Sequence, residues 1–199
     1  PRSTAVPDDE EPMLLLATAA MPEPISRIAR HGWFAGRARG SREWRRWECC
    51  PPHESSGGHP ITGGMFDDDV RVHETWRGER ATELMACLTR ETDRYEHSDT
   101  YVAWPGPNSN TYLDAMLRRC WMHTDLPPTA IGRDYRGIVG LSGTAGGTGF
   151  QFETPLVGFR LGLTEGFEVH LFGLVFGIDW WPPAILVPWG AGRIGFDDL

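Results

Sequence analysis

Apolar residues in the first third of the chain fall into short runs that predict strands. An early run, M-L-L-L-A-T-A, occupies residues 13–19, and a second, H-G-W-F-A-G-R, occupies residues 31–37. A glycine-containing turn separates the second run from E-W-R-R-W-E-C at 43–49, and V-R-V-H at 70–73 fits another short strand. Between these last two runs, residues 50–69 are rich in glycine, proline and polar residues, and we expect a long loop there.

Two later segments show the three- and four-residue spacing of an amphipathic helix. The first predicted helix covers residues 79–94, and its apolar side carries Ala81, Leu84, Met85 and Leu88. The second covers residues 109–121, and its apolar side carries Tyr112, Leu113, Met116, Leu117 and Cys120.

From residue 150 onward, short apolar runs alternate with glycine, which is typical of a meander of antiparallel strands. We therefore expect an α+β fold in which a mostly antiparallel sheet packs with two main helices. Residues 1–12 are expected to form a flexible arm, and residues 13–199 a single globular domain. The very apolar stretch at 172–189 is expected to be a buried hairpin; the alternative is an exposed surface that faces a membrane or a partner.

Composition limits the functional classes. The chain has 199 residues, 40% of them apolar, with nine tryptophans and a net charge of −8. An acidic protein binds nucleic acid or anionic membranes poorly, so nucleic acid is an unlikely partner. All 19 basic residues are arginine, as in proteins from GC-rich bacteria, but the cytoplasm and the cell envelope both remain open as locations. The run at 13–21 is too short for a membrane span and lacks a preceding basic region, so we interpret it as a strand and not as a signal peptide.

The four cysteines, Cys49, Cys50, Cys87 and Cys120, show no disulfide-framework spacing. A reducing or neutral compartment fits that spacing, although two disulfides remain arithmetically possible. Cys49 and Cys50, with His53 and His59, supply ligand types for zinc, but adjacent cysteines suit one metal poorly and the usual two- to four-residue cysteine spacing is missing. We therefore expect no metal and no cofactor.

The stretch W-P-G-P-N-S-N-T-Y at 104–112 stops regular structure and then opens the second predicted helix. In one interpretation, Asn108 or Thr111 is the N-cap, and Thr111 forms a capping box with Asp114. In the other, Ser109 displays an exposed hydroxyl beside the free N–H groups of the first turn, which can stabilise an oxyanion. The same polar residues serve both interpretations.

A serine nucleophile needs a base, and His31 is the best placed of seven histidines because it opens a predicted strand. A strand holds an imidazole more rigidly than the loop that carries His53 and His59. The structural alternative is a histidine at the surface or at the edge of the core.

Residues 25–47 carry seven arginines and one acid, interleaved with three tryptophans, Trp33, Trp44 and Trp47. Arg45 and Arg46 are candidate ligands for an anion or a lipid headgroup. The alternative is a hairpin whose solvated arginines pack on tryptophan rings.

The segments P-G-P-N-S-N-T-Y, H-G-W-F-A, W-R-R-W-E and A-I-G-R-D-Y, with E-V-H-L-F-G-L-V-F-G-I-D-W-W-P-P-A-I-L-V-P at 168–188, resemble a bacterial family known as domain of unknown function 3750. That resemblance covers most of residues 13–196 and implies no activity.

N-S-N-T-Y also resembles the N-C-N-T-F signature of permuted papain-like proteins, such as the desumoylating isopeptidases. This second resemblance implies a papain-like core in which an early strand carries the base, His31, and a later helix start carries the nucleophile, Ser109. Asn108 or Asn110 would then orient the site or donate to an oxyanion. Serine replaces the family's cysteine, and a hydroxyl is much less ionised than a thiol.

The implied activity is a Ser–His hydrolase or acyl transferase for amides, esters or thioesters of a small molecule or peptide. The alternative is a non-catalytic module that binds a partner through the arginine–tryptophan hairpin or through the apolar C-terminal strands. Such a module could be associated with the cell envelope.

Overall fold

The computed structural model describes residues 11–49, 53–56 and 70–196, with residues 53–56 described by their backbone alone. The described residues form two antiparallel sheets and two helices, which confirms the α+β class. Residues 1–10 of the expected arm lie outside the described residues, as do most residues of the expected loop at 50–69.

The first sheet contains five strands in the order β4-β3-β2-β1-β5. Their bounds are β1 Met13–Ala20, β2 Arg30–Arg37, β3 Trp44–Glu48, β4 His53–Ser56 and β5 Arg71–Arg77. The two helices that follow are α1 Gly78–Thr92 and α2 Ser109–Arg119. Strand β4 lies within the segment at 50–69 that was predicted to be a loop. Strand β5 extends to Arg77, beyond the V-R-V-H run at 70–73 that predicted it.

Strand β1 is buried on both faces, which explains its continuous apolar sequence. One face, with Leu14 and Leu16, belongs to the main core that includes Phe34 and side chains of both helices. The opposite face, with Met13 and Leu15, packs with tryptophans of β2 and β3.

Cys87 of α1 and Cys120, the C-cap residue of α2, form a disulfide that joins the two helices. This pairing differs from the reducing or neutral setting that the cysteine spacing favoured. The spacing was uninformative because two residues 33 positions apart in sequence meet only when the helices pack side by side. Disulfides of this kind are typical of oxidising compartments.

The second sheet is a seven-stranded meander in sequential order, which confirms the expected strand meander. Its strands are β6 Gly140–Gly143, β7 Gly149–Glu153, β8 Val157–Gly162, β9 Gly166–Leu171, β10 Leu174–Asp179, β11 Ala184–Leu186 and β12 Arg193–Gly195. Strands β6 and β12 were not predicted, because each offers a single apolar side chain between glycine and polar residues.

The second sheet buries its polar face and exposes its apolar face. Paired positions of β7, β8 and β9 place Gln151, Arg160 and Glu168 in one buried row. Eleven apolar side chains on the opposite side, which we call the apolar face, are between 36% and 75% exposed. They are Leu141, Phe150, Val157, Phe159, Leu161, Phe167, Leu171, Phe176, Ile178, Ile185 and Ile194.

The expectation of a buried hairpin at 172–189 is therefore wrong. Strands β10 and β11 do pair as an antiparallel hairpin, but Ile178 and Ile185 are 51% and 59% exposed, and Trp181 at the hairpin tip is 85% exposed. The physical reason is that the inner side of this sheet contacts charged groups, which leaves the apolar side chains outside.

A buried network of charges fills the space inside the second sheet. Glu168 accepts hydrogen bonds from Arg133, at 2.5 Å, and from Arg160. The imidazole of His170 lies between Glu153, at 2.6 Å, and Glu168, at 3.0 Å. The complete network alternates acids with cations: Asp114, Asp125, Asp134, Glu153 and Glu168 with Arg118, Arg133, Arg136, Arg160 and His170. Buried charges are tolerated when they are paired in this way.

We expect the network to make stability depend on pH. Burial opposes the charge on His170, but Asp134 and hydrogen bonds to Glu153 and Glu168 outweigh it and raise its pKa from 6.5 to about 9. A raised folded-state pKa stabilises the fold fully below pH 6.5, and that contribution is lost as the pH rises through 9. Urea unfolding between pH 6 and 10 measures this loss. His170→Gln should flatten the alkaline decline, and an unchanged decline in that variant would contradict the assignment.

Candidate active site

The start of β2 and the start of α2 lie side by side because small residues and an amide bridge join them. A Cβ atom on Gly32 would lie 2.4 Å from Leu113 Cδ1, so a larger residue there would require the Leu113 side chain to move. The side-chain amide of Asn110 donates to the backbone carbonyls of Arg30, at 2.8 Å, and Ile131, at 3.0 Å. These contacts hold His31 and Ser109 next to each other.

The imidazole of His31 contacts a hydroxyl on one side and a carboxylate on the other. His31 Nδ1 lies 3.0 Å from Ser109 Oγ, and His31 Nε2 lies 3.3 Å from Glu48 Oε2. The tautomer with its proton on Nε2 satisfies both contacts, because Nε2–H then donates to Glu48 and Nδ1 accepts from Ser109. The three side chains form a Ser–His–Glu arrangement that joins α2, β2 and β3.

Glu48 is the member that the sequence did not reveal. It ends the predicted third strand in W-R-R-W-E, but no local signal relates it to His31. Strand β3 pairs with β2 as a hairpin with Phe34 opposite Trp47, which directs Glu48 to the face that carries His31. The alternation of side chains along β3 could have identified Glu48 as a partner of His31 only once the β2–β3 register was known.

The structure separates the two candidate anion ligands. The guanidinium of Arg46 lies 4.2 Å from the centre of the Trp33 ring and 3.0 Å from Glu48, so it supports the Ser–His–Glu arrangement. Arg45 is on the other face of β3 and is exposed. Arg37 also packs over a tryptophan, at 5.4 Å from the centre of the Trp44 ring, but it is 1% exposed and so is not solvated as the alternative interpretation of this hairpin supposed.

Asn108 is the N-cap residue of α2 and forms a capping box with Thr111. Its side-chain oxygen accepts from the backbone N–H groups of Asn110 and Thr111, while Thr111 accepts from the Asn108 N–H. The capping box therefore pairs Asn108 with Thr111, and the expected pairing of Thr111 with Asp114 is wrong. Asp114 instead binds Arg118 and Arg136.

The two asparagines orient the site through bonds that use all of their amide hydrogens. The side-chain nitrogen of Asn108 donates to the carbonyls of Ala103 and Ile131, and that of Asn110 donates to Arg30 and Ile131. An oxyanion role for either amide would require breaking these bonds. The backbone N–H of Ser109 has no acceptor among the described residues and lies at the positive end of the helix dipole.

The hydroxyl of Ser109 is not displayed as one interpretation of the sequence supposed. Ser109 is 5% exposed, whereas the side chain of His31 is 13% exposed. The solvent-facing edge of the site is thus formed by the imidazole.

The candidate zinc ligands do not form a described site. Cys49 is disulfide-bonded and has no free thiolate, and Cys50 and His59 lie outside the described residues. Asp134, Glu153 and His170 have ligand atoms within 4.8 Å of one another. However, they already pair with each other and with arginines, and the raised pKa of His170 keeps its imidazole protonated, which opposes metal binding.

Together the fold and the site define an α+β protein in which one histidine contacts a serine on one side and a glutamate on the other. The profile of the family described as Protein of unknown function (DUF3750) matches residues 12–135, and the chain belongs to this family. The match includes His31, Glu48 and Ser109, and it ends before the second sheet and the segment at 168–188. Neither the curated proteins nor the solved structures contain a match to the chain. Among the described residues, no helix has the length and apolar sequence needed to cross a membrane.

Proposed function

We propose that this protein is a serine-dependent hydrolase or acyl transferase that acts on an ester, thioester or amide carbonyl. Ser109 is the nucleophile, His31 the general base, and Glu48 the group that orients and stabilises the imidazole. The observation that carries this proposal is the position of one imidazole between Ser109 Oγ, at 3.0 Å, and Glu48 Oε2, at 3.3 Å. A serine hydroxyl is activated by such a base, and the base by a third group.

In the proposed reaction, His31 Nδ1 removes the proton of Ser109 Oγ as the oxygen attacks the substrate carbonyl. The free N–H of Ser109 stabilises the resulting oxyanion, and Glu48 stabilises the imidazolium. The imidazolium then protonates the leaving alcohol, thiol or amine as the bond to it breaks, which yields an acyl-serine. Water or an acceptor nucleophile repeats the cycle, with His31 as base, and releases the acyl group.

The chain order of these groups supports a papain-like core. An early strand, β2, supplies the base and a later helix start, α2, supplies the nucleophile, as the permuted papain-like resemblance implies. Serine in the cysteine position requires a base in direct contact, because the hydroxyl is not appreciably ionised near neutral pH. The 3.0 Å contact meets that requirement.

Labelling with a fluorophosphonate tests the proposal. We expect the wild-type protein to be labelled covalently at Ser109, which intact-protein and peptide mass spectrometry would locate. Ser109→Ala should abolish labelling, whereas Ser26→Ala, which removes an exposed hydroxyl bonded to Glu23, should not. A wild-type protein that resists the probe, or labelling that survives in Ser109→Ala, would count against a serine nucleophile.

A different observation supports the alternative function, a binding module. The arginine–tryptophan hairpin is largely committed to internal contacts, as Arg37 and Arg46 show, whereas the second sheet presents a broad apolar surface. Binding through the C-terminal strands is compatible with catalysis, since that surface is formed by different residues from those of the Ser–His–Glu arrangement.

A further inference from the structure

The apolar face of the second sheet is built for contact with another apolar surface. Every outward position in the paired centre of the sheet is apolar, and cross-strand pairs such as Leu161 with Phe167 and Ile178 with Ile185 form continuous rows. The charged positions of the same strands point inward. An extended apolar surface of this kind usually marks a site of contact with another molecule, because covering it removes apolar area from water.

The size of this surface indicates a stable interface. Eleven apolar side chains, each between 36% and 75% exposed, present on the order of 1,000 Å² of apolar area. The largest apolar patch on a typical monomer is about 300–600 Å². A stable protein–protein interface buries about 800 Å² on each partner, so the apolar face alone is large enough.

We propose that a second copy of this chain covers the apolar face, so that the two second sheets pack face to face as a β-sandwich. A twofold arrangement brings the same surface of both copies together and matches apolar side chains with apolar side chains. With a net charge of −8 on each chain, two copies repel each other elsewhere, but the apolar face contributes no charge. Trp180, Trp181 and Trp189, which are 45–85% exposed at the strand ends, would close the edges of the sandwich.

A lipid surface fits these observations less well. Proteins that lie on membranes usually carry basic residues around the apolar region, where lipid phosphates are met. Among the described residues of the second sheet, Arg160 is buried in the ion network and Arg193 pairs with Asp179 at 2.8 Å. The acidic net charge further opposes binding to anionic lipids.

Sedimentation velocity and light scattering on the full chain test the proposal. We expect a mass twice the 22.3 kDa of one chain at micromolar concentration. Ile178→Asp should raise the dimer dissociation constant at least about 100-fold, because it buries two unpaired carboxylates in the interface. Ile25→Asp is the matched control, since Ile25 is similarly exposed, at 42%, but lies between β1 and β2; it should leave the dimer intact.

A second measurement, on the wild-type protein, tests the proposal even if Ile178→Asp fails to fold. Hydrogen exchange in β8, β9 and β10 should accelerate when the wild-type protein is diluted from a dimeric to a monomeric concentration. A wild-type monomer at tens of micromolar would overturn the proposal, and so would a dimer that Ile178→Asp leaves intact. Flotation of a monomer with phosphatidylcholine vesicles, abolished by Ile178→Asp, would assign the apolar face to lipid instead.

Discussion

Ser109→Ala is expected to lower kcat/KM for an activated ester or thioester at least about 1,000-fold, provided that the chain hydrolyses a member of such a substrate panel. The substitution removes the nucleophile of the proposed reaction, while the buried contacts of Asn108 and Asn110 keep the helix start in place. His31→Ala should cause a loss of similar size, because the hydroxyl then has no base at 3.0 Å.

The double variant Ser109→Ala with His31→Ala shows whether the two residues act in one catalytic step or affect the rate independently through the structure. Residues that act in one step are non-additive, so Ser109→Ala with His31→Ala should be no slower than either single variant. Losses that multiply in the double variant would contradict the assigned roles. Thermal melting of each variant checks that the fold is retained.

Glu48→Gln completes this comparison. The amide removes the negative charge that stabilises the imidazolium in the proposed reaction, so we expect a loss in kcat of about 100-fold or more with little change in KM. Glu43→Gln is the matched control, because Glu43 lies exposed before β3 and should have no effect on kcat. Equal rates for the two glutamine variants would remove Glu48 from the mechanism.

Glu168→Ala is expected to destabilise the protein by about 3–5 kcal/mol, as measured by urea unfolding. Burial disfavours the ionised carboxylate, but Arg133 and Arg160 outweigh burial and hold the pKa of Glu168 far below its usual range. Removing the carboxylate leaves two buried guanidinium groups without their shared acceptor. The loss should be present near neutral pH and disappear only at strongly acidic pH, where the carboxylate would be protonated.

An exposed ion pair provides the control for this measurement. Glu83 lies 3.5 Å from Arg80 on α1, and both side chains are about half exposed or more. Glu83→Ala should change the free energy of unfolding by less than about 0.5 kcal/mol, because solvent screens the pair. If Glu168→Ala were equally mild, the buried network would not hold the second sheet to the rest of the protein.

Much of the local structure was predictable because it depends on short-range patterns. The continuous apolar run of β1, the glycine-punctuated strands after residue 150 and the helical spacing of α1 and α2 each reflect geometry within one element. The sequence also nominated Ser109 and His31, since a polar run at a helix start and a histidine at a strand start are local signals. Their catalytic roles stay a prediction until labelling and kinetics are measured.

Contacts between distant parts of the chain were decided only by tertiary structure. Glu48 joins His31 because the β2–β3 register places both on one face, and Cys87 meets Cys120 because two helices pack together. The second sheet shows the same division. Alternation along its strands identifies two faces but not which one is inside, and the expectation of a buried hairpin at 172–189 failed for this reason. Arg133 and Arg160 meet Glu168 on the buried side of the sheet, and the apolar face lies on the other, exposed side.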